Sequence, residues 1–85
     1  MQHHRAMTSA EKLLARIRNN PRDWLIGQLE TVAQRYGLKV RKPDGSHVIF
    51  QKDGCRLEVS VPAHKPIKPV YIRQFLALID FEVRP

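Results

Sequence analysis

The sequence predicts an α+β fold in which helices cover the apolar face of one three-stranded antiparallel sheet. Apolar residues recur at helical spacing before residue 37 and after residue 69, whereas apolar and polar residues alternate between residues 38 and 61. Asp53-Gly54, a strong hairpin signal, stands between two of the alternating segments. The predicted order is helix, helix, three strands, helix, and 85 residues are enough for one small domain.

The first helix is predicted from a capping box, Thr8-Ser9-Ala10-Glu11, in which Thr8 is the N-cap and Glu11 bonds back to it. The helix is expected to end at Asn19-Asn20-Pro21. Its apolar stripe must cover another surface, since the remaining positions are mostly basic or polar. The stripe consists of Ala10, Leu13, Leu14 and Ile17.

A second helix is predicted with Asn20 as its N-cap, Pro21 at its first position and Asp23 in its first turn. It runs to about Tyr36, and Gly37 supplies the left-handed residue that stops it. Its core side chains are expected to be Trp24, Leu25, Leu29, Val32 and Tyr36.

Three strands follow, and their alternation predicts which side chains face the core. They are predicted at Leu38–Lys42, His47–Lys52 and Arg56–Val61. The second strand is expected to place Val48 and Phe50 on one face and His47, Ile49 and Gln51 on the other. The third strand is expected to bury Leu57, Val59 and Val61.

The last helix is predicted to begin at Pro69, because proline is well tolerated in a first helical turn. Pro62 is expected to stop the sheet before it, and Phe81 is expected to pack back onto the core. The predicted apolar face of the helix is Ile72, Phe75, Leu76 and Ile79.

The composition indicates a polyanionic partner. Fifteen Lys and Arg residues against eight Asp and Glu residues give a net charge of +7, a balance typical of nucleic-acid binding. The single cysteine, Cys55, excludes an internal disulfide and a cysteine zinc site. We find no glycine-rich phosphate loop and predict neither a cofactor nor a bound metal.

The sequence also predicts a cytoplasmic protein without membrane attachment. No apolar run approaches the ~20 residues that a membrane-spanning helix needs. The segment Met1-Gln2-His3-His4-Arg5 lacks the apolar stretch of a secretory signal.

The segment Gly45-Ser46-His47 places an imidazole directly after a glycine turn and at the start of a strand. If Phe50 faces the core, His47 faces away from it. Histidine is the side chain best suited to accept or donate a proton near neutral pH. A histidine at such a position is more often an ordinary surface residue, so spacing alone does not assign catalysis. Cys55, beside Gly54 in the hairpin, is expected to have a packing role.

Four short motifs together resemble the HicA family, small mRNA interferase toxins of type II toxin-antitoxin modules. The resemblance runs from about Asp23 to Asp80. The motifs are Gly45-Ser46-His47 followed by Phe50, Val61-Pro62-Ala63-His64, Ile67-Lys68-Pro69, and Phe75-Leu76-Ala77-Leu78-Ile79. The resemblance implies a double-stranded-RNA-binding-domain-like α-β-β-β-α fold, to which this chain adds an N-terminal helix.

On this interpretation the chain divides into a flexible N-terminus at residues 1–7, an N-terminal helical extension at residues 8–22, and a HicA-like RNA-cleaving domain at residues 23–81. The role of the extension stays open between completing the core, extending an RNA surface and mediating self-association.

The resemblance also implies that His47 cleaves mRNA and that a HicB-like antitoxin covers the site. As a general base, His47 would take a proton from a ribose 2′-OH, which then attacks the adjacent phosphate. Residues that could bind RNA or stabilise the transition state are Lys39, Arg41, Lys42, Gly45, Ser46, His64, Lys65, Lys68 and Arg73.

Two points about this site stay open. His64 is either the general acid or a residue that fixes its loop. From the sequence we expect no carboxylate to orient His47. The alternatives to an enzyme are a non-catalytic RNA-binding module of the same fold and a protein whose main role is to bind the antitoxin.

Overall fold

The predicted α+β architecture is present in the computed structural model, which describes residues 7–63 and 65–83. This part of the chain forms three helices and three strands. They are α1 (Ser9–Asn19), α2 (Ile26–Arg35), β1 (Lys39–Arg41), β2 (His47–Gln51), β3 (Glu58–Pro62) and α3 (Pro69–Asp80). The order is consistent with a double-stranded-RNA-binding-domain-like fold preceded by one helix. The predicted flexible N-terminus, residues 1–7, falls almost wholly outside the described residues.

The sheet is antiparallel with β2 in the centre, and its two faces differ as the alternation predicts. Phe50 lies between Val40 and Val59, and Val48 lies opposite Val61. The residues of β2 and β3 on this face are buried, and the ring of Phe50 meets that of Phe75 edge to face, with 4.9 Å between centroids. Helix α3 therefore covers the core face and leaves the face that carries His47 open.

Helix α1 completes the hydrophobic core, one of the three roles that the sequence left open. Ala10, Leu14 and Ile17 are buried, and α1 packs against α2. The predicted capping box is confirmed: Thr8 Oγ1 accepts the Glu11 N–H at 3.1 Å, and the Thr8 N–H donates to Glu11 Oε1 at 2.8 Å.

Helix α2 begins at Ile26, so the prediction that it begins at Pro21 is wrong. Asn20 is the C-cap of α1, and its side chain accepts the Arg22 N–H. Asp23 has φ +66°, a left-handed conformation that turns the chain out of a helix. The turn lays Trp24 beside Ile67, whose N–H donates to the Trp24 carbonyl at 3.1 Å, and buries the indole. This long-range pairing prevails over the local preference for proline at a helix start.

Three predicted core residues of α2 and the third strand are exposed instead: Leu25, Tyr36 and Leu57. Leu25 and Tyr36 are the two caps of α2, outside its buried stripe. The Leu57 N–H donates to Cys55 Sγ, so Leu57 belongs to the β2–β3 turn and not to a strand.

The C-terminal part of the fold corrects three more details. Pro62 does not stop the sheet but is the last residue of β3. Leu78 is fully buried, whereas Leu76 and Ile79 only pack at the edge of the core, so the buried stripe of α3 is displaced from its predicted position. Phe81 caps the helix and is exposed.

Candidate active site

The turn before β2 is organised by one carboxylate oxygen. Asp44 Oδ1 accepts the backbone N–H groups of Ser46 and His47, each at 3.0 Å, and the hydroxyl of Ser46 at 3.1 Å. Gly45 has φ +76°, and a Cβ at this position would meet no atom within 4 Å. The backbone angle, and not a lack of space, therefore favours glycine here. The result is a short loop that presents His47 at the start of β2.

The same hydrogen bonds keep Asp44 ionised. The N–H of Ser46, and next the N–H of His47, lower the pKa of the Asp44 carboxyl below its usual value. Both donors bond to the charged form, which is why they favour it. At neutral pH the turn therefore carries a full negative charge beside the imidazole.

The imidazole of His47 is held on one side and open on the other. Its Nδ1 lies 3.3 Å from Ser46 Oγ and 3.5 Å from Asp44 Oδ2, and 43% of the side chain is exposed. Because Ser46 donates its single hydroxyl proton to Asp44, its oxygen is left to accept a proton from Nδ1. In the neutral ring Nε2 then carries the free lone pair, and no described residue bonds to it.

The expectation that no carboxylate orients His47 is therefore wrong, since Asp44 lies within ion-pair distance. Asp44 is the residue that sequence reasoning missed. The signal was present: an aspartate ahead of a glycine commonly accepts backbone N–H groups two and three residues later. Here those residues are Ser46 and His47, so the turn-forming bonds bring the carboxylate to the imidazole.

The end of β3 forms the neighbouring wall of the site. Pro62 is paired with His47 in the sheet register, and the Ala63 N–H donates to the Ser46 carbonyl at 2.9 Å. Pro62 in turn lines a shallow pocket of about 140 Å³ together with Lys68 and Tyr71. Of the predicted cations downstream of β3, Lys68 is thus brought to a pocket that adjoins the His47 strand.

The other predicted cations of this region, Lys65 and Arg73, do not line that pocket. Lys65 and Arg73 are exposed, and neither has a carboxylate partner among the described residues. His64, predicted as a general acid or a loop-fixing residue, lies outside the described residues.

The cations of β1 and the turn after it are already paired within the chain. Lys39 meets Asp53 at 2.9 Å. Arg41 meets Glu58 at 3.0 Å, and Lys42 meets Glu30 at 3.0 Å. The predicted phosphate track along Lys39, Arg41 and Lys42 would therefore have to compete with three intramolecular carboxylates.

The fold and the site define a small, basic α+β protein that presents a histidine on the open face of its sheet. Residues 27–80 match the family described as "HicA toxin of bacterial toxin-antitoxin". Because the match covers well over half of the chain, the protein belongs to the HicA family and is a toxin of a toxin-antitoxin system, with an antitoxin as its partner.

The remaining comparisons add no further relative, since neither curated proteins nor solved structures gave a match. Helix α1 precedes the matched residues, although it packs in the same core. Within residues 7–63 and 65–83 we find no helix of the length and apolarity that crossing a bilayer requires.

Proposed function

We propose that this toxin is an mRNA interferase, a metal-independent endoribonuclease with His47 as its general base. The observation that supports it is the 43% exposed imidazole, whose Nδ1 lies near Ser46 and Asp44 and whose Nε2 has no hydrogen-bond partner among the described residues. Nε2 takes the proton of a ribose 2′-OH, and the oxygen attacks the adjacent phosphate. The products are a 2′,3′-cyclic phosphate and a 5′-hydroxyl end. DNA lacks the attacking hydroxyl and is spared.

Asp44 acts in this mechanism as a positioning residue. Once Nε2 has accepted a proton the ring is cationic, and the ionised carboxylate 3.5 Å from Nδ1 stabilises that charge. Ser46 connects the two groups through its hydroxyl. Since Asp44 is exposed, solvent screens the interaction, and we expect a smaller contribution than from a buried orienting carboxylate.

The leaving 5′-oxygen needs a proton, and the phosphate gains negative charge in the transition state. His64 is our candidate for the acid. Lys65 and Arg73 are our candidates for charge stabilisation, and Lys68, in a pocket that the strand partner of His47 also lines, is our candidate for binding a neighbouring phosphate of the RNA. A histidine base contributes typically ~10²- to 10⁴-fold, so cationic stabilisation must add to it.

For the antitoxin, we propose a HicB-like protein that binds over the His47 site. The net charge of +7 favours an acidic surface on this partner and electrostatic steering of the two chains. High salt is therefore expected to slow association more than it speeds dissociation. Stopped-flow association rates independent of ionic strength would contradict this part of the proposal.

The nuclease is tested with purified wild-type and His47→Ala chains on single-stranded mRNA, with growth followed in cells that express each chain. We expect cleavage and growth arrest only with the wild type, cyclic-phosphate ends on the fragments, and retained RNA binding by the variant. An RNA with 2′-deoxyribose at the mapped cleavage positions should bind and resist cleavage.

Three outcomes contradict the proposal. RNA binding without cleavage by the wild type favours the non-catalytic RNA-binding module. Equal cleavage by both chains removes His47 from the chemistry. A chain that forms a tight antitoxin complex but neither binds RNA nor arrests growth is chiefly an interaction protein.

A further inference from the structure

The cations of this protein differ in whether an internal carboxylate neutralises them. Among residues 7–63 and 65–83, five are paired with carboxylates, namely Arg18, Arg35, Lys39, Arg41 and Lys42. Arg22, Lys65 and Lys68 have no carboxylate within 4 Å among the described residues and are exposed. These three occupy two segments that the Trp24–Ile67 pairing holds side by side.

Two adjoining concavities lie in this region. The first, here called the Tyr71 pocket, has a volume of about 140 Å³ and is lined by Pro62, Pro66, Ile67, Lys68 and Tyr71. The second, here called the Arg22 groove, has a volume of about 250 Å³ and runs from Arg22 and Asp23 to the segment 66–69.

Pro66, Ile67 and Lys68 line both concavities, so Lys68 stands at their junction. Pro62 lines the Tyr71 pocket and is also the cross-strand partner of His47 in β2, so the pocket adjoins that strand. A path therefore leads from His47 over Pro62 to Lys68 and on to Arg22.

The lining of the Tyr71 pocket suits a nucleobase. Two proline rings and the phenol ring of Tyr71 offer flat apolar surfaces, and Tyr71 is held because it packs against the core. Bases of single-stranded RNA stack on aromatic rings such as that of Tyr71, and lysine or arginine side chains bind the phosphates between them. Asp23 is the one carboxylate on the walls of the Arg22 groove, where Arg22 and Lys68 leave a net positive charge.

We propose that the Tyr71 pocket binds the base of a nucleotide next to the scissile phosphate, and that Lys68 and Arg22 bind phosphates of the strand beyond it. This rests on the proposed function of His47. Single-stranded RNA then leaves His47 toward the 21–24 turn. It does not follow β1, where the cations are already paired.

The test measures binding of a short single-stranded RNA of mixed sequence to the full chain in a His47→Ala background, so that cleavage does not interfere. Tyr71→Leu is expected to weaken affinity about 5- to 100-fold through loss of base stacking. Tyr71→Phe should bind like the parent chain, since it keeps the ring. Thermal unfolding of both variants separates a loss of binding from a loss of folding.

The phosphate contacts are tested through the salt dependence of the same affinity. The slope of log K against log salt is negative. Arg22→Gln and Lys68→Gln should each make it less negative by about 0.7, the value for one phosphate on a single strand. Arg56→Gln is the matched control. Arg56 is also exposed and without a carboxylate partner among the described residues, but it lies in the turn at the other end of the sheet. Its slope should equal that of the parent.

Wild-type cleavage is measured alongside, so that the two proposals fail in different ways. Absent cleavage with the expected binding losses supports the RNA path and contradicts the nuclease mechanism. Normal cleavage with parental binding in Tyr71→Leu, Arg22→Gln and Lys68→Gln overturns the path. A change of salt slope in Arg56→Gln as large as those in Arg22→Gln and Lys68→Gln also overturns the proposed RNA path. A weakened antitoxin complex with unchanged RNA binding also overturns it and assigns the surface to the protein partner.

Discussion

The central strand has an Asp-Gly turn at each of its ends, Asp44-Gly45 before β2 and Asp53-Gly54 after it. Both glycines are left-handed, with φ +76° and +80°. The two turns use their carboxylates differently. Asp44 bonds to the residues that follow it and holds His47, whereas Asp53 pairs with Lys39 on the neighbouring strand.

The Gly54 end is tied to the rest of the chain. Lys52 Nζ donates to the carbonyls of Ile79 and Phe81, each at 2.7 Å, and so caps α3. Arg18 of α1 donates two hydrogen bonds to the carboxylate of Asp80, at 2.7 and 2.6 Å. At the His47 end, 43% of the imidazole side chain is exposed, and the exposed Lys68 lines a pocket together with Pro62, the strand partner of His47. The same dipeptide therefore lies beside contacts to α3 at one end and beside the proposed catalytic histidine at the other, depending on which residues follow it.

The largest expected difference between the ends is in catalysis. Asp44→Ala should lower kcat for RNA cleavage about 10- to 100-fold with little change in KM, less than the ~10⁴-fold loss in a buried triad, because solvent screens Asp44. Asp44→Asn, which keeps an acceptor oxygen for the turn, should lie between Asp44→Ala and wild type. Asp53→Ala is the matched control and should cleave normally. Single-turnover kinetics on one RNA measure all three, and equal losses in the Asp44 and Asp53 variants would contradict the assignment.

Gly45→Ala and Gly54→Ala should reduce the free energy of unfolding by similar amounts, but only Gly45→Ala should reduce RNA cleavage. Gly45→Ala and Gly54→Ala each force a side chain into the left-handed region, at a cost of about 1–2 kcal/mol in the free energy of unfolding. A Cβ at Gly54 would also lie 2.5 Å from Val83 Cγ1, but Val83 is exposed and can move aside. Urea unfolding compares their stabilities. Cleavage should fall only in Gly45→Ala, which displaces Ser46 and His47, and a comparable fall in Gly54→Ala would refute the distinction.

Lys52→Met should destabilise the fold by about 1 kcal/mol and leave cleavage rates unchanged. The substitution keeps the aliphatic stem and removes two charge-assisted hydrogen bonds to carbonyls at the end of α3. Thermal unfolding tests it, with Lys12→Met, an exposed lysine of α1, as the control. An unchanged midpoint for Lys52→Met would show that the Gly54 end does not depend on this cap.

The smallest expected effect is the pH dependence of the ion pair between α1 and α3. The Arg18 guanidinium lowers the pKa of Asp80, so the pair contributes fully above the unfolded value of ~3.9 and is lost as pH falls through the folded pKa. Both side chains are largely exposed, and about 0.2–1 kcal/mol is expected. Arg18→Gln should therefore be less stable than wild type at pH 7 and equally stable near pH 2. If Arg18→Gln were still less stable than the wild type at pH 2, the loss would come from packing and not from the ion pair.

Several elements were predictable because short-range chemistry sets them. Thr8 and Glu11 are three residues apart and satisfy each other's backbone groups, so the start of α1 follows from the sequence. Alternation places Phe50 inside and His47 outside. For the candidate site, the sequence predicted the Gly45-Ser46 turn directly before the strand that begins at His47, but it did not predict the hydrogen bonds of Asp44.

Other features depend on residues far apart in the chain, and local preferences predict them wrongly or not at all. The start of α2 is set by Trp24 meeting Ile67, and the buried stripe of α3 is set by what packs against it. The charges show the same limit. The sequence contains fifteen basic residues, but it does not say that Lys39 would find Asp53 or that Lys42 would find Glu30. Ion pairing depends on distances that only the folded chain creates, and so only the tertiary structure separates the cations that meet a carboxylate from those that meet none among the described residues.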